Sequence, residues 1–372
     1  MNRRYDLDWL RVIAFTLLIF YHIGMFFVPW SWHIKNNILY EWLEYPMLFL
    51  NRWRMPLLFI ISGMGTAYSL GKRKPIVFSK ERLSRLLLPL VFGMLVIIPP
   101  QIYIERIAHL EFTGSYFDFW PSHAFEGKYP KGNLSWHHLW FLPYILIYSL
   151  VLLPLFLLLR RNENTWIIRF AHKLSESKFG IYGFILPLLL MEWLLDPFFP
   201  ITHGLFDDWF NFCYNLVLFL YGFLLIAIHQ SFYKMVIQHY KRNLLIGIIT
   251  FSIFLFIVQT YEDGVYRHFI EAVFNQLFMW SWILGLFGIA SKYLNRKSTI
   301  ITYCNRAVYP FYILHQTIII ILAYWLMDCK WNLITKFSLL VVGTFTSCWL
   351  LYEFIIKRVK LLRIVMGVKD NK

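Results

Sequence analysis

The sequence predicts an all-α, polytopic membrane protein of about ten transmembrane helices with both termini cytoplasmic. Three observations carry that expectation. Of the residues, 59% are hydrophobic, 20% aromatic and only 15% charged, where a soluble domain would hold about a quarter charged residues. Ten apolar stretches recur along the chain, most of them close to the ~20 residues a helix needs to cross the hydrocarbon core. Between them, the basic residues concentrate on alternate connections.

The ten stretches are 7–29, 41–70, 86–105, 138–159, 180–196, 209–232, 243–261, 271–291, 308–327 and 336–356. With a cytoplasmic N-terminus, the inner segments hold 26 Lys and Arg and the outer loops hold 6. That is a strong positive-inside bias. The +15 net charge is therefore a topology signal with membrane-lipid contact as a secondary effect, and it argues against a nucleic-acid partner. Arg3 and Arg4 precede an apolar stretch too long for a signal-peptide core, with no small-residue cleavage site after it. The first span is expected to remain as an anchor. Cys213, Cys304, Cys329 and Cys348 form no close pair, which points to neither a disulfide framework nor a zinc site.

The first span, LDWLRVIAFTLLIFYHIGMFFVP, carries Asp8, Arg11 and His22. Charged groups inside a membrane cost at least ~2.5 kcal/mol each on insertion scales and usually face a cavity, a partner or a site. Eleven positions separate Arg11 from His22, which returns to within about 20° of the same helix face, roughly 16 Å along the axis. Asp8 sits one turn before Arg11, where it can pair with the guanidinium. A neutral imidazole within the span is a natural proton acceptor. The plainer reading has Arg11 snorkelling to the inner face and His22 making one interhelical hydrogen bond.

The second span, interrupted by Arg52 and Arg54, contains MPLLFIISGMG with Ser62, Gly63 and Gly65. Small residues there let helices approach closely, and the two arginines either line an outward-facing cavity or snorkel. The following inner loop, GKRKPIVFSKERLSRLLLP, places Arg82 and Arg85 three apart, on one side of a helix entering the membrane. Guanidinium forks bind phosphate oxygens bidentately. The long outer loop 106–136 is of the size of a lid and leads into His137, His138 and Trp140 at the start of span four. Trp120, Trp136 and Trp140 read as an interfacial belt that can also stack on sugar rings. The outer histidines match no ligand spacing, so no metal is expected. Glu192 and Asp196, four apart on one helix face, read as solvated at the interface, with acid–base chemistry as the alternative, and His315 is a second ionisable group within a span. No internal repeat points to a transporter.

Together these stretches resemble the acyltransferase-3 family of bacterial integral membrane proteins, in the branch that includes glucan biosynthesis protein C. The resemblance covers nearly the whole chain and rests on five motifs in order: LDWLRVIAFTLLIFYH (the family's Arg-x10-His), MPLLFIISG, the Arg-x-x-Arg of ERLSRLLLPL, HHLWFLPYIL and YPFYILHQ. It implies transfer of an acyl group, acetyl or succinyl, from cytoplasmic acyl-CoA (acetyl-CoA by default) to a hydroxyl of an extracytoplasmic glycan. The protein would lie in the bacterial cytoplasmic (inner) membrane as a single transferase domain over 1–372, with no additional soluble domain. His22 would be the catalytic histidine, with Arg11 and its neighbour Asp8 on the same helix. Arg82 and Arg85 would meet the CoA phosphates. Ser62 and Gly63 match the family's Ser-Gly motif, with Met64 and Gly65 where the family continues Phe-Leu.

The alternative is a transporter or exporter of a glycan or lipid-linked sugar, with Arg and His as its substrate path. A third reading is an assembly partner in envelope synthesis. Acyl-CoA-dependent modification of an added acceptor separates the first two, and replacement of His22 alone separates the third.

Overall fold

The computed structural model describes residues 3–162 and 164–368. Among them there is no β-strand, and the regular elements are all helical. The helices are α1 (Tyr5–Met25), α2 (Glu44–Leu70), α3 (Pro75–Ala108), α4 (Tyr116–Ser122), α5 (His137–Val151 continued by Leu153–Arg161), α6 (Trp166–Glu176), α7 (Gly180–Leu194), α8 (Trp209–Ala227), α9 (His229–Thr260), α10 (Val265–Leu294), α11 (Thr299–Leu326), α12 (Leu333–Ile356) and α13 (Lys360–Val365). Seven of the described helices are long and apolar enough to cross a membrane, and α5, bent by 49°, makes an eighth if counted as one span. Helices α7 and α2 occupy the remaining two apolar stretches; α7 is short and α2 carries the arginines.

Three boundaries differ from the sequence reading, each for a local reason. Pro75 opens α3 well before residue 86, because proline is preorganised for a first helical turn and loses no needed donor there. The bend in α5 falls beside Pro154, which removes a helical hydrogen bond. The turn between spans six and seven is a single residue, Ile228, and the expected loop 233–242 continues as helix within α9. Its sequence, YKMVIQHYKR, contains neither Gly nor Pro to end a helix.

The chain divides into two compact units. One holds the chain's start to Ala14, Asn51–Ser79 and Tyr144–Ile301. Its interior is aromatic: Trp280 is fully buried, stacks on Phe184 and donates from Nε1 to the Ile181 carbonyl at 2.9 Å. Phe156 stacks on Phe223 with ring centroids 4.1 Å apart. Helices α2 and α8 cross backbone to backbone. A Cβ on Gly63 would stand 1.9 Å from the Phe219 carbonyl oxygen, and one on Gly222 would stand 2.0 Å from that of Ile60. Gly63→Ala is therefore expected to lower stability by about 1–3 kcal/mol, as overpacking does. A thermal-unfolding midpoint in detergent equal to wild type would refute that packing.

The other unit holds Phe15–Leu50, Lys80–Pro143 and Thr302 onward. Ile19, Ile23, Phe26 and Phe27 of α1 and the segment after it pack with Ile104, Ile319, Ile320, Ala323 and Leu340 from α3, α11 and α12. Lysines pin the segment between α1 and α2. Lys35 donates to the Met25 and Val28 carbonyls at 2.6 and 2.7 Å, and the fully buried Lys336 donates to Asn36 Oδ1 at 2.6 Å. In the loop 109–136, Ser115 and Asp118 form a capping box at the start of α4, and those hydrogen bonds hold the Asp118 carboxyl below its ordinary range. Arg106 binds that loop through the Pro130 and Gly132 carbonyls and Asn133.

Candidate active site

Helix α1 is unbroken from Tyr5 to Met25, so Arg11 and His22 do share one helix. At its start, Arg11 Nη1 lies 3.6 Å from Asp8 Oδ1, the pairing expected from spacing. Asp8 is held more tightly by Arg3, whose Nη2 donates to Oδ2 at 2.8 Å.

His22 faces α11. Its Nδ1 lies 2.8 Å from Nε2 of His315, and the two rings are nearly parallel, 2° apart. The protons can be assigned from what surrounds His315. Its Nδ1 lies 2.7 Å from the Tyr312 carbonyl oxygen and 3.2 Å from that of Phe311. Carbonyl oxygens only accept, so Nδ1 of His315 must carry the hydrogen. A neutral His315 then offers its Nε2 lone pair, and His22 must donate from Nδ1. What remains on His22 is Nε2 with its lone pair. His315 is fully buried while His22 is only partly so.

His138 completes the cluster. Its ring stands edge-on to that of His315, with centroids 5.1 Å apart and planes at 87°. It is positioned by a tight turn over His137–Trp140, in which His137 adopts a φ of 37°, a region costly for residues with a Cβ. The His137 ring is wedged between those of His33 and Tyr129, at 4.7 Å from each.

A second buried network runs beside these rings in the same unit. The Gln316 amide donates to His33 Nε2 and to Gln101 Oε1, both at 3.1 Å. Gln101 donates to Thr317 Oγ1 at 2.7 Å, and Thr317 to the Ile97 carbonyl at 2.7 Å. His33 Nδ1 bonds Glu105, whose other oxygen accepts from the Tyr129 hydroxyl at 3.0 Å. Burial beside Glu105 raises the Tyr129 phenol well above its ordinary value, so it stays protonated and donates. This network was not foreseen from sequence: His33 and Glu105 are 72 residues apart, and no local spacing signals their meeting.

A family model described as an acyltransferase domain matches residues 4–353. The chain belongs to that family. It is a membrane acyltransferase. Among curated proteins it is similar to the Glucans biosynthesis protein C of Salmonella schwarzengrund (strain CVM19633), of Salmonella typhi and of Salmonella typhimurium (strain LT2). Each is 26% identical over 324 residues, covering 84% of this chain and 82% of the relative. No solved structure matches it.

The remaining candidates of this acyltransferase fall elsewhere. Arg82 ends an α-helical segment, and Arg85 lies in a π-helical turn, Leu83–Leu87. A π turn closes i→i+5 hydrogen bonds and so needs more residues per turn than an α-helix. The angular offset between the two side chains is therefore set by that turn rather than by α-helical spacing alone. Arg85 also pairs with Glu81 at 3.1 Å. Gly63 is committed to the α2–α8 crossing described above, and Ser62 contributes its carbonyl to Thr66 Oγ1 at 2.9 Å. Arg54 is 2% exposed, so it does not snorkel outward, and Arg52 lies over the Phe254 ring at 5.0 Å. Trp140 is half-buried at the end of the His137–Trp140 turn. Glu192 is not solvated as the sequence reading had it. It is buried, accepts from Asn275 at 2.9 Å and bonds Gln276, so its position within an apolar helix reflects a polar lock between α7 and α10. Among the described residues, no group of three or more His, Cys, Asp and Glu is placed to hold a metal ion.

Proposed function

We propose that this acyltransferase moves an acyl group, acetyl or succinyl, from cytoplasmic acyl-CoA to a hydroxyl of an extracytoplasmic glycan. The observation that carries the reading is the His22–His315 pair, whose hydrogen-bond directions leave a lone pair on His22 Nε2. The positive-inside charge bias supports a cytoplasmic location for both termini and a bacterial inner membrane setting. The names of the relatives, which refer to glucans, support a glycan as acceptor. The reading keeps residues 1–372 as one transferase domain.

The chemistry follows from the site. As the acceptor oxygen attacks the thioester carbonyl, His22 Nε2 takes its proton. The new C–O bond forms, the C–S bond breaks, and the proton passes from His22 to the departing thiolate. While His22 holds that proton, its Nδ1–H bond to His315 Nε2 becomes charge-assisted and so shorter and stronger. The alternative route uses Nε2 as the nucleophile: it takes the acyl group first, then yields it to the hydroxyl. The same tautomer serves both.

Arg82 and Arg85 would bind the CoA phosphates, with Arg85 exchanging Glu81 for phosphate. Replacing either by Ala is expected to raise KM for acyl-CoA about tenfold, the worth of one charge-assisted hydrogen bond, with kcat little changed. Steady-state kinetics at two salt concentrations check this, and an unchanged KM in both variants would remove the arginines from the donor site.

Purified protein in liposomes, given acetyl-CoA with a labelled acetyl group and gluco-oligosaccharides, tests the function itself. The expected product is an oligosaccharide heavier by one acetyl group. Movement of the sugar across the bilayer with its mass unchanged would instead favour an exporter.

A further inference from the structure

His138 carries an atom that the mechanism above leaves unused. The residue is 7% exposed. Its Nε2 lies 3.0 Å from the Ile313 carbonyl oxygen, so that nitrogen bears the hydrogen and Nδ1 bears a lone pair. Nδ1 is buried and has no hydrogen-bond partner. The ring is not at liberty to turn toward one. Its backbone carbonyl accepts from the Tyr312 hydroxyl at 2.6 Å, and its plane is packed edge-on against His315 and, at 5.9 Å, against Tyr312.

A buried acceptor without a donor is a net cost to the fold, and native proteins match the large majority of such groups. The missing donor must be neutral or nearly so. The neighbouring His22–His315 pair takes on positive charge during the reaction, which disfavours an ammonium group, and a phosphodiester or carboxylate has no proton to give at neutral pH. A hydroxyl or an amide N–H remains.

We infer that His138 Nδ1 accepts a hydrogen bond from a second, non-reacting hydroxyl of the acceptor, beside the one that His22 deprotonates. The inference rests on the assignment of His22 under the proposed function. It makes the site one for polyhydroxy acceptors such as sugars rather than for simple alcohols, since orientation needs two hydroxyls. It also gives the turn at His137 a purpose, because that turn aims the His138 ring. The amide N–H groups of a pantetheine arm have the same chemistry, and the experiment separates the two sources.

The variant is His138→Gln, whose side-chain amide can still donate to the Ile313 carbonyl but offers nothing at the Nδ1 position. Full-length protein is assayed with labelled acetyl-CoA and gluco-oligosaccharides. The expected result is a rise of about tenfold or more in KM for the oligosaccharide, with KM for acetyl-CoA unchanged. A rise confined to acetyl-CoA overturns the sugar assignment and gives the contact to the donor's amide. Wild-type values for both substrates overturn the inference altogether, while loss of transfer in His22→Ala alone would leave the proposed function standing.

A second measurement needs no variant. In wild type, oligosaccharides with single hydroxyls replaced by fluorine are compared, because fluorine cannot donate. One non-reacting position is expected to raise KM by a similar factor, and no such position overturns the inference. Absence of any acetyl transfer by wild type overturns both readings together.

Discussion

His22→Ala lowers the rate of acyl transfer by about 10²–10⁴-fold, the range that a positioned general base contributes, with the protein still present in the membrane at its normal level. The size follows from the arrangement. His22 Nε2 is the nitrogen of that ring on which the tautomer leaves a lone pair, since Nδ1 donates to His315. Alanine removes that atom without adding charge or bulk to α1, so helix formation is not impaired. The loss should appear in kcat. Retention of most of the wild-type rate would remove His22 from the chemistry by either route, base or nucleophile.

His315→Phe is expected to cost about 10–100-fold, comparable to the loss when a partner that fixes an imidazole's tautomer and orientation is removed. Phenylalanine fills the fully buried position but accepts no hydrogen bond. His22 then distributes its proton between both nitrogens and loses the partner that holds its ring. His315→Gln should recover part of the rate, because its side-chain oxygen can accept from His22 Nδ1. The measurement is the ratio of kcat in the two variants with both KM values recorded. A purely structural role predicts less folded protein and equal loss in both. A positioning role predicts normal amounts, unchanged KM, and recovery with Gln alone.

The all-helical membrane architecture could be read from sequence because each span is a local property, a run of apolar residues long enough to cross a bilayer. The pairing of Asp8 with Arg11 was readable for the same reason, being one helical turn. What sequence could not give is what long-range packing decides. His22 and His315 were each singled out as ionisable groups in spans, but their contact joins positions 293 residues apart. The burial of Glu192 depends on Asn275 and Gln276, brought by another helix. The π turn at Leu83–Leu87, which carries Arg85, was not readable either, because such a turn leaves almost no composition signal. Gly63 shows the converse, a motif glycine whose close contact with the Phe219 carbonyl accounts for it by packing.

The central claim is that transfer of an acyl group from an inner donor to an outer hydroxyl depends on His22. It is tested most directly with sealed vesicles holding labelled acetyl-CoA inside and gluco-oligosaccharide outside, comparing wild type with His22→Ala. The account predicts label on the outer oligosaccharide with wild type and only background with the variant. Equal labelling by both would contradict it.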